Sequence, residues 1–345
     1  MFRFFRSIRN RLISDKKIGR YFLYAIGEII LIVIGIWIAL GINNRNTQSK
    51  NELASISTLR EIQNNILDDL AQIEVMANNY LIVRASKEKL LDFDNPISIK
   101  ELKTGNIRRI GRFHDNLNNN SNGFENIENQ INILPQKFEP LLKDLRFLYV
   151  RITEAEKLYS DRLLMTIEDH RNFITKQNWR VFEERNSKIS DEEVDFYLND
   201  DSFKGYMMKY ELDRFNVFRS SQSYRLFAID MYNKIDSVLN SQNTKIPDAF
   251  LGLSSLEDLE PYLGMYQDPS NENIEKFYIR NNLLYCDRLD DNGAILESKI
   301  HRKINDSLFA FRKRLFSEIW WFVKTDDDQT KIVFINNTKE LIKLD

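Results

Sequence analysis

The stretch YFLYAIGEIILIVIGIWIALGI, Tyr21 to Ile42, decides the architecture of this chain. As a helix its 22 residues rise roughly 33 Å, enough to cross a hydrocarbon core of about 30 Å. Glu28 is the single charge within it. Ten Ile, Leu or Val residues between Ile29 and Ile42 each favour insertion by roughly 0.3 to 0.6 kcal/mol, against about 2.5 to 3.5 kcal/mol for a mid-bilayer acid, so insertion wins. Glu28 lies nearer the amino-terminal end, where its carboxylate reaches the interface or a partner, and Tyr21 and Tyr24 supply an aromatic belt there. Arg3, Arg6, Arg9, Arg11, Lys16, Lys17 and Arg20 precede the span against Asp15 alone, whereas only Arg45 and Lys50 follow it closely. That asymmetry predicts a single-pass protein of the inner, cytoplasmic membrane, with its amino-terminus in the cytoplasm and its carboxyl-terminal body in the periplasm. A cleaved signal peptide is the competing reading, with Ala39-Leu40-Gly41 as the small-residue site. The length of the apolar run and its Tyr-rich entry favour a retained signal-anchor.

At 100° per residue, Glu28, Ile32, Gly35, Ala39 and Ile42 fall on one face of the span. The lone acid and a small-xxx-small pair therefore share a surface, and Glu28, Gly35 and Ala39 are the candidate packing face through which the span meets a second copy or a partner membrane protein. Upstream, residues 1–20 place Phe2, Phe5, Ile8, Leu12 and Ile13 along one side of a helix whose other faces carry the arginines. This reads as an interfacial segment lying on an anionic lipid bilayer.

The basic start FFRSIRNRL (Phe4 to Leu12) and the run KIGRYFLYAIGEIILIVIGIWIALGINN (Lys17 to Asn44) resemble a family of uncharacterised single-span membrane proteins common in the Bacteroidota. The resemblance is tight over about the first 45 residues and loose in the helical part. Family members often carry Asn-Asn-Trp-Asn where this chain has Asn43-Asn44-Arg45-Asn46. It implies a membrane-tethered exported protein with a helical body, and it brings no activity and no catalytic residues.

Behind the span, 43% hydrophobic and 29% charged residues describe a folded soluble body and not a polytopic membrane protein. The fold class read from the sequence is α+β: a transmembrane helix at 21–42, a polar stalk at 43–50, an elongated antiparallel helical bundle at 51–245, and a small antiparallel β-meander or half-barrel at 246–345. Leu59, Ile66, Ile73 and Tyr80 recur every seven residues with Ile56, Ile62 and Leu70 between them, as a packed helix requires. Asp94-Asn95-Pro96 breaks that helix, and Ser98 with Glu101 forms a capping box for a shorter one. NLNNNSNG (Asn116 to Gly123) predicts a flexible loop that buries little. The series Phe138, Leu141, Leu145, Leu148, Ile152, Tyr159, Leu163, Ile167 and Ile174 predicts one long helix from about Pro135 to about Glu184. A second capping box, Ser190 with Glu193, opens a short helix, and a further long helix runs from about Ser202 to Leu239, its stripe of Phe203, Tyr206, Tyr210, Phe218, Phe227 and Tyr232 read as core. Four principal helices are expected.

From residue 246 on the pattern changes to short β-branched and aromatic segments: Glu275–Arg280, Leu283–Arg288, Ser298–Lys303, Leu308–Lys313, Glu318–Lys324, Lys331–Asn336 and Lys339–Leu344. Turn signals at Asn281-Asn282, Asp290 to Gly293, Asn305-Asp306 and Asp326 to Asp328 separate them at hairpin spacing. LEPYLGMYQ (Leu259 to Gln267) followed by a meander with YIRNNLLYC is similar to the lipocalin-like β-domain appended to some bacterial serine hydrolases. Such domains are accessories, and the resemblance implies a fold more than an activity.

Motifs for chemistry are sparse. His114, His170 and His301 fall on different elements, none within HExxH or Glu-x-x-His. In Glu168-Asp169-His170 consecutive helical residues diverge and do not converge on one ion. There is no GxSxG, P-loop or GxGxxG, and eleven glycines leave little material for phosphate-cradling loops. Asp68-Asp69, Asp191 to Glu193 and Asp326 to Asp328 read as solvated charges. Cys286 is the only cysteine, so no intramolecular disulfide forms, and it reads as a small buried hydrophobe. The acidic body excludes a nucleic-acid partner, and no metal, cofactor or catalytic residue is predicted. The expectation is a non-catalytic, membrane-anchored interaction or sensor-like module for an unknown periplasmic protein or ligand. A structural envelope protein, or a hydrolase whose site converges only in three dimensions, are the alternatives.

Overall fold

The structure is a computed structural model and describes residues 18–92, 95, 97–104, 111–179, 189–240, 245–269, 273–313, 316–325, 329–334 and 340–344. Helix α1, Ile18–Leu90, runs unbroken for 73 residues. No glycine or proline stands between Ile42 and Leu90, so nothing ends the helix where the span ends, and the expected stalk at 43–50 is helical and part of α1. The first part of α1 is apolar and long enough to cross a membrane. The remainder buries Leu59, Ile62, Ile66, Leu70, Ile73 and Tyr80, the stripe its spacing predicts.

Beyond the break, α2 (Ile99–Thr104) begins at the complete capping box: Glu101 N–H donates to Ser98 Oγ at 3.2 Å, and Ser98 N–H donates back to Glu101 Oε2 at 3.1 Å. Residues 111–121 form an irregular strap across the helical region that leads into α3 (Asn122–Asn129). The Asn-rich run is therefore not a loose loop. Leu117, Gly123, Phe124 and Ile127 are buried, and backbone amides along the run are held by side chains of the long helices.

The single helix expected over 135–184 is interrupted. After 3-10 turns at Ile131–Ile133 and Gln136–Phe138 come α4 (Glu139–Arg146), a π-helical segment at Phe147–Ile152, and α5 (Thr153–Ile174). The π turn adds a residue to the repeat and keeps Leu148, Tyr149 and Ile152 buried. Residues 180–184 lie outside the described residues. Helix α6 (Asp191–Asn199) opens on Ser190, whose Oγ accepts from Glu193 N–H, and α7 (Asp201–Leu239) is capped by Asp200 and ends on Asn240 in a left-handed conformation, φ 49°.

Three long helical stretches, not four, dominate the described residues. Gln63 meets Tyr232, Asp69 meets Tyr224, and Tyr80 meets Glu211, so α1 and α7 run antiparallel. Asp144 pairs with Lys234 and Thr166 with Asp213, so α4–α5 also opposes α7. The stripe on α7 is core: Phe203, Tyr210, Phe218, Phe227 and Tyr232 are buried, and Tyr206 packs against them.

After α8 (Asp248–Leu251), α9 (Leu256–Leu259) and a 3-10 turn at Glu260–Tyr262, eight strands form a closed antiparallel barrel. They are β1 Gly264–Gln267, β2 Ile274–Arg280, β3 Leu283–Leu289, β4 Ile295–Lys303, β5 Leu308–Lys313, β6 Phe316–Lys324, β7 Thr330–Phe334 and β8 Glu340–Leu344. Each strand pairs with the next, and β1 closes the ring by pairing with both β2 and β8. Asn281 and Asn282 carry φ of 52° and 59°, the type I′ hairpin geometry that Asn tolerates. Asp326 to Asp328 lie outside the described residues.

The outer faces of β5 and β6 dock on the helices: Leu308, Ala310 and Ile319 share a core with Ala77, Tyr80, Phe215, Phe218 and Leu226. Ser317 N–H donates to Ser223 Oγ at 2.7 Å, and Ser317 Oγ donates to the Arg219 carbonyl at 2.8 Å. Gly252 completes the joint at φ 63°, where an added Cβ would stand 2.7 Å from the Lys303 carbonyl oxygen and 2.8 Å from its nitrogen. Gly252→Ala adds backbone strain to that clash, so we expect a loss of about 2 to 3 kcal/mol, read as a lower urea midpoint at constant slope. An unchanged midpoint would show that the joint yields.

Candidate functional site: the charged end of the barrel

Alternation sends every second side chain of each strand into the barrel. Register places Phe277, Cys286 and Lys299 side by side across β2, β3 and β4, and sets Leu284 opposite His301. One end is closed by apolar and aromatic groups: Tyr262 packs on Phe309 and Phe322, and Leu259 is buried with them. The other end is charged.

There the Glu275 carboxylate is buried and fully engaged. Its Oε1 accepts from Arg288 Nε at 2.8 Å and Nη2 at 2.7 Å, and its Oε2 accepts from Cys286 Sγ at 3.0 Å. Burial, and then the Glu275 charge, push the Cys286 thiol far above its ordinary range, so the sulfur stays protonated and is no nucleophile at neutral pH. Arg288 also faces Glu297 at 3.8 Å, and Lys299 Nζ pairs with the same Glu297 oxygen at 3.2 Å. The Lys299 ammonium lies 4.9 Å from the Phe311 ring centroid and 5.6 Å from that of Trp320, in reach of both π faces. Lys313 and Glu318 pair on the adjacent hairpin.

Deeper in, His301 is enclosed by Phe311 at 4.6 Å, Trp320 at 4.9 Å and Phe277 at 5.3 Å between ring centroids. Burial, then the Lys299 charge, lower its pKa to about 3, so the imidazole is neutral. The Lys299 backbone lies close enough to the imidazole to oppose that shift, but neither ring nitrogen, nor Trp320 Nε1, has a partner of good hydrogen-bond geometry among the described residues.

The other histidines stand apart. His114, on the strap, contacts Ser160 through Nε2, at 3.0 Å to Oγ and 3.1 Å to the carbonyl oxygen. Ser160 is buried and His114 half-buried, so the pair clasps the strap to α5. His170 stacks on Tyr206 at 3.6 Å and 7°, its pKa lowered to about 4 by burial and then by Arg112. Glu168 and Asp169 point to solvent while His170 is buried, the divergence their helical positions require. Among the described residues no group of three or more His, Cys, Asp or Glu is arranged to hold a metal ion.

In the span, Glu28, Gly35 and Ala39 are exposed along α1, and no described atom outside the helix comes within 4 Å of a Cβ placed on Gly35. Arg3, Arg6, Arg9, Arg11, Lys16 and Lys17 lie outside the described residues, and only the backbone of Arg20 is described. On the helical region an open groove of about 910 Å³ runs between α3 and the π segment, with Phe124, Leu142, Phe147 and Val150 in its walls.

Sequence reading missed the charged end of the barrel. Glu297, Lys299, His301 and Lys303 alternate on β4 as a solvent face would, and only closure of the sheet turns that face inward.

A family model described as a family of unknown function (DUF6090) matches residues 28–130, from Glu28 in the span through α1, the strap and α3. This is less than a third of the chain and leaves the barrel outside. No curated protein and no solved structure matches the chain.

Proposed function

We propose that this chain is a non-catalytic binding module tethered to the inner membrane, with its amino-terminus in the cytoplasm and its helical bundle and barrel in the periplasm. The observation that carries the reading is the continuity of α1: one helix leaves the apolar span and, without a break, becomes the core element against which α7 and the barrel are packed. Such a helix holds a binding domain at a fixed distance and orientation from the lipid, where a flexible tether would not. The eight-stranded up-and-down closure is a lipocalin-type topology, which supports the β-domain resemblance and a binding role. The family match over residues 28–130 supports kinship with a family of unknown function.

The test is in-cell photo-crosslinking from Leu296, an exposed β4 residue. We expect a discrete adduct that disappears when the barrel is removed. Recovery of the chain's own adducts alone, at every expression level, would defeat the partner reading and leave a structural envelope role. The span carries a separate prediction. Glu28 and Gly35 are exposed on α1, so Glu28→Leu with Gly35→Leu is expected to abolish in-membrane crosslinking while insertion improves. Unchanged crosslinking would make the span an anchor only.

A further inference from the structure

The geometry points to a small carboxylic acid as the ligand of the charged barrel end, its carboxylate replacing Glu297 on Lys299 and its second oxygen meeting Trp320 and His301. The inference rests on the binding-module reading and names the ligand class for it.

Two buried charges face this end, and they are not equivalent. Glu275 is committed to Arg288 and Cys286, all three within one hydrogen-bonded unit. Lys299 is not so committed. Its side chain is 5% exposed, yet among the described residues the carboxylate paired with it belongs to Glu297, which is 49% exposed and shared with Arg288. A desolvated ammonium needs an anion, and here the anion is a surface side chain folded back from two residues earlier on the same strand. An exposed carboxylate of this kind gains little from its pair and gives way to a competitor. Glu297 occupies the place that the carboxylate of a ligand would take.

The groups beyond Lys299 define the rest of the molecule. Trp320 Nε1 is a donor, and a neutral imidazole is one donor and one acceptor. All three atoms are buried with no partner of good hydrogen-bond geometry among the described residues, the imidazole having only the nearby Lys299 backbone, a condition that native proteins seldom tolerate. A 2-hydroxy or 2-keto acid matches the set, with a carboxylate for the ammonium and, one carbon away, an oxygen for the indole and imidazole. Size is limited by the walls. An eight-stranded barrel has room for its own side chains or one small ligand, and Phe277, Phe311, Trp320 and Phe322 already pack ring on ring. Long-chain acids and nucleotides are thereby excluded.

Titration calorimetry on the full chain in detergent micelles tests this, with lactate and pyruvate as probes, acetate lacking the second oxygen, and inorganic phosphate as a different anion. We expect saturable binding of lactate or pyruvate, weaker binding of acetate, and none of phosphate. Glu297→Gln removes the internal competitor and is expected to tighten binding about tenfold, whereas Lys299→Met abolishes it and Lys276→Met, on the outer face of β2, leaves it unchanged. No saturable heat from either wild type or Glu297→Gln, equal binding by Lys299→Met, or phosphate binding as well as lactate would each overturn the inference. The Glu297→Gln gain needs a folded site, so it guards against a Lys299→Met variant that merely unfolds. Calorimetric binding without in-cell adducts would fell the partner reading alone, and adducts without calorimetric binding would fell this inference alone.

Discussion

Raising the pH from about 5 to about 8 is expected to loosen the strap, because two carboxyls that hold it are buried and keep their protons. Asp69, like Glu193, is fully buried and not the solvated charge its sequence setting suggests: it lies on the packed side of α1, where its carboxylate oxygens accept from the Asn120 amide at 3.3 Å and the Tyr224 hydroxyl at 2.5 Å. Burial raises its pKa from 3.8 to about 6, Asp68 adds to the rise, and the two hydrogen bonds oppose it. Glu156 on α5 accepts from the Leu117 amide at 3.2 Å, and burial raises its pKa from 4.5 to about 7, with Asp161 adding and Lys157 opposing. Both folded values lie above the unfolded ones. The unfolded chain therefore ionises first as pH rises from about 4, and the stability these protons contribute is lost as pH passes through the folded values. Each shift exceeds two units, which corresponds to about 3 kcal/mol per group as an upper figure. Hydrogen exchange of residues 111–123, corrected for intrinsic rates, reads the effect directly. Protection should fall across this range in the wild type and stay nearly level in Asp69→Asn with Glu156→Gln. The same slope in both proteins would assign the pH response elsewhere.

The strap also shows where sequence reading stops. Asn116 to Gly123 carries no apolar periodicity and so reads as loop, yet Gln72, Asp69 and Glu156 accept its backbone amides. Tyr210 and Arg214 donate to the Phe113 carbonyl, and Tyr206 donates to that of Gly111. These partners come from three helices distant in sequence, and local patterns carry no trace of them. Where local chemistry suffices the reading holds. Leu59, Ile66, Ile73 and Tyr80 are buried in register, Ser98 and Glu101 cap each other, Leu308–Lys313 is a strand with the expected bounds, and Asn281-Asn282 turns a hairpin. The four-residue strand β1 has too few residues to show alternation, and it is the strand that closes the barrel. Without closure the inward face of β4 looks like a solvent face, so Lys299 and His301 were invisible as a site. The apolar helix at the start of α1 is legible because its length and composition are local properties of the sequence. Its continuation through residues 43–50 is not, because eight polar residues read as a stalk although nothing among them breaks a helix.

Replacing Arg225 is expected to undo the joint between helices and barrel. Its guanidinium is 2% exposed on α7 and ties four elements together. Nε and Nη2 donate to the Phe250 carbonyl of α8 at 3.1 and 3.0 Å, Nη1 donates to Gln222 at 3.2 Å, and Nη2 reaches the Lys303 carbonyl at 3.5 Å and Glu74 of α1 at 3.3 Å. Burial lowers its pKa, and Glu74 opposes that shift, yet a guanidinium remains charged throughout the accessible range. Arg225→Met keeps much of the volume and leaves the Phe250 and Lys303 carbonyls without that donor and Glu74 without its cation. Removing one partner of a buried ionic network costs about 3 to 5 kcal/mol. Arg312→Met is the matched control: Arg312 pairs with Asp230 at 2.8 Å and lies 3.8 Å over the Phe227 ring, but both members of the pair are about half exposed, and an exposed pair and an exposed cation–π contact contribute at most about 1 kcal/mol each. Urea unfolding followed by tryptophan emission reports the joint, since Trp321 lies under Arg84 of α1 at 4.1 Å across it. Arg225→Met should split the transition, with the Trp321 signal lost before helicity, while Arg225→Lys falls between, because one ammonium does not reproduce the planar fork. Equal midpoints for Arg225→Met and Arg312→Met would mean that apolar packing of Leu308, Ala310 and Ile319 holds the barrel by itself.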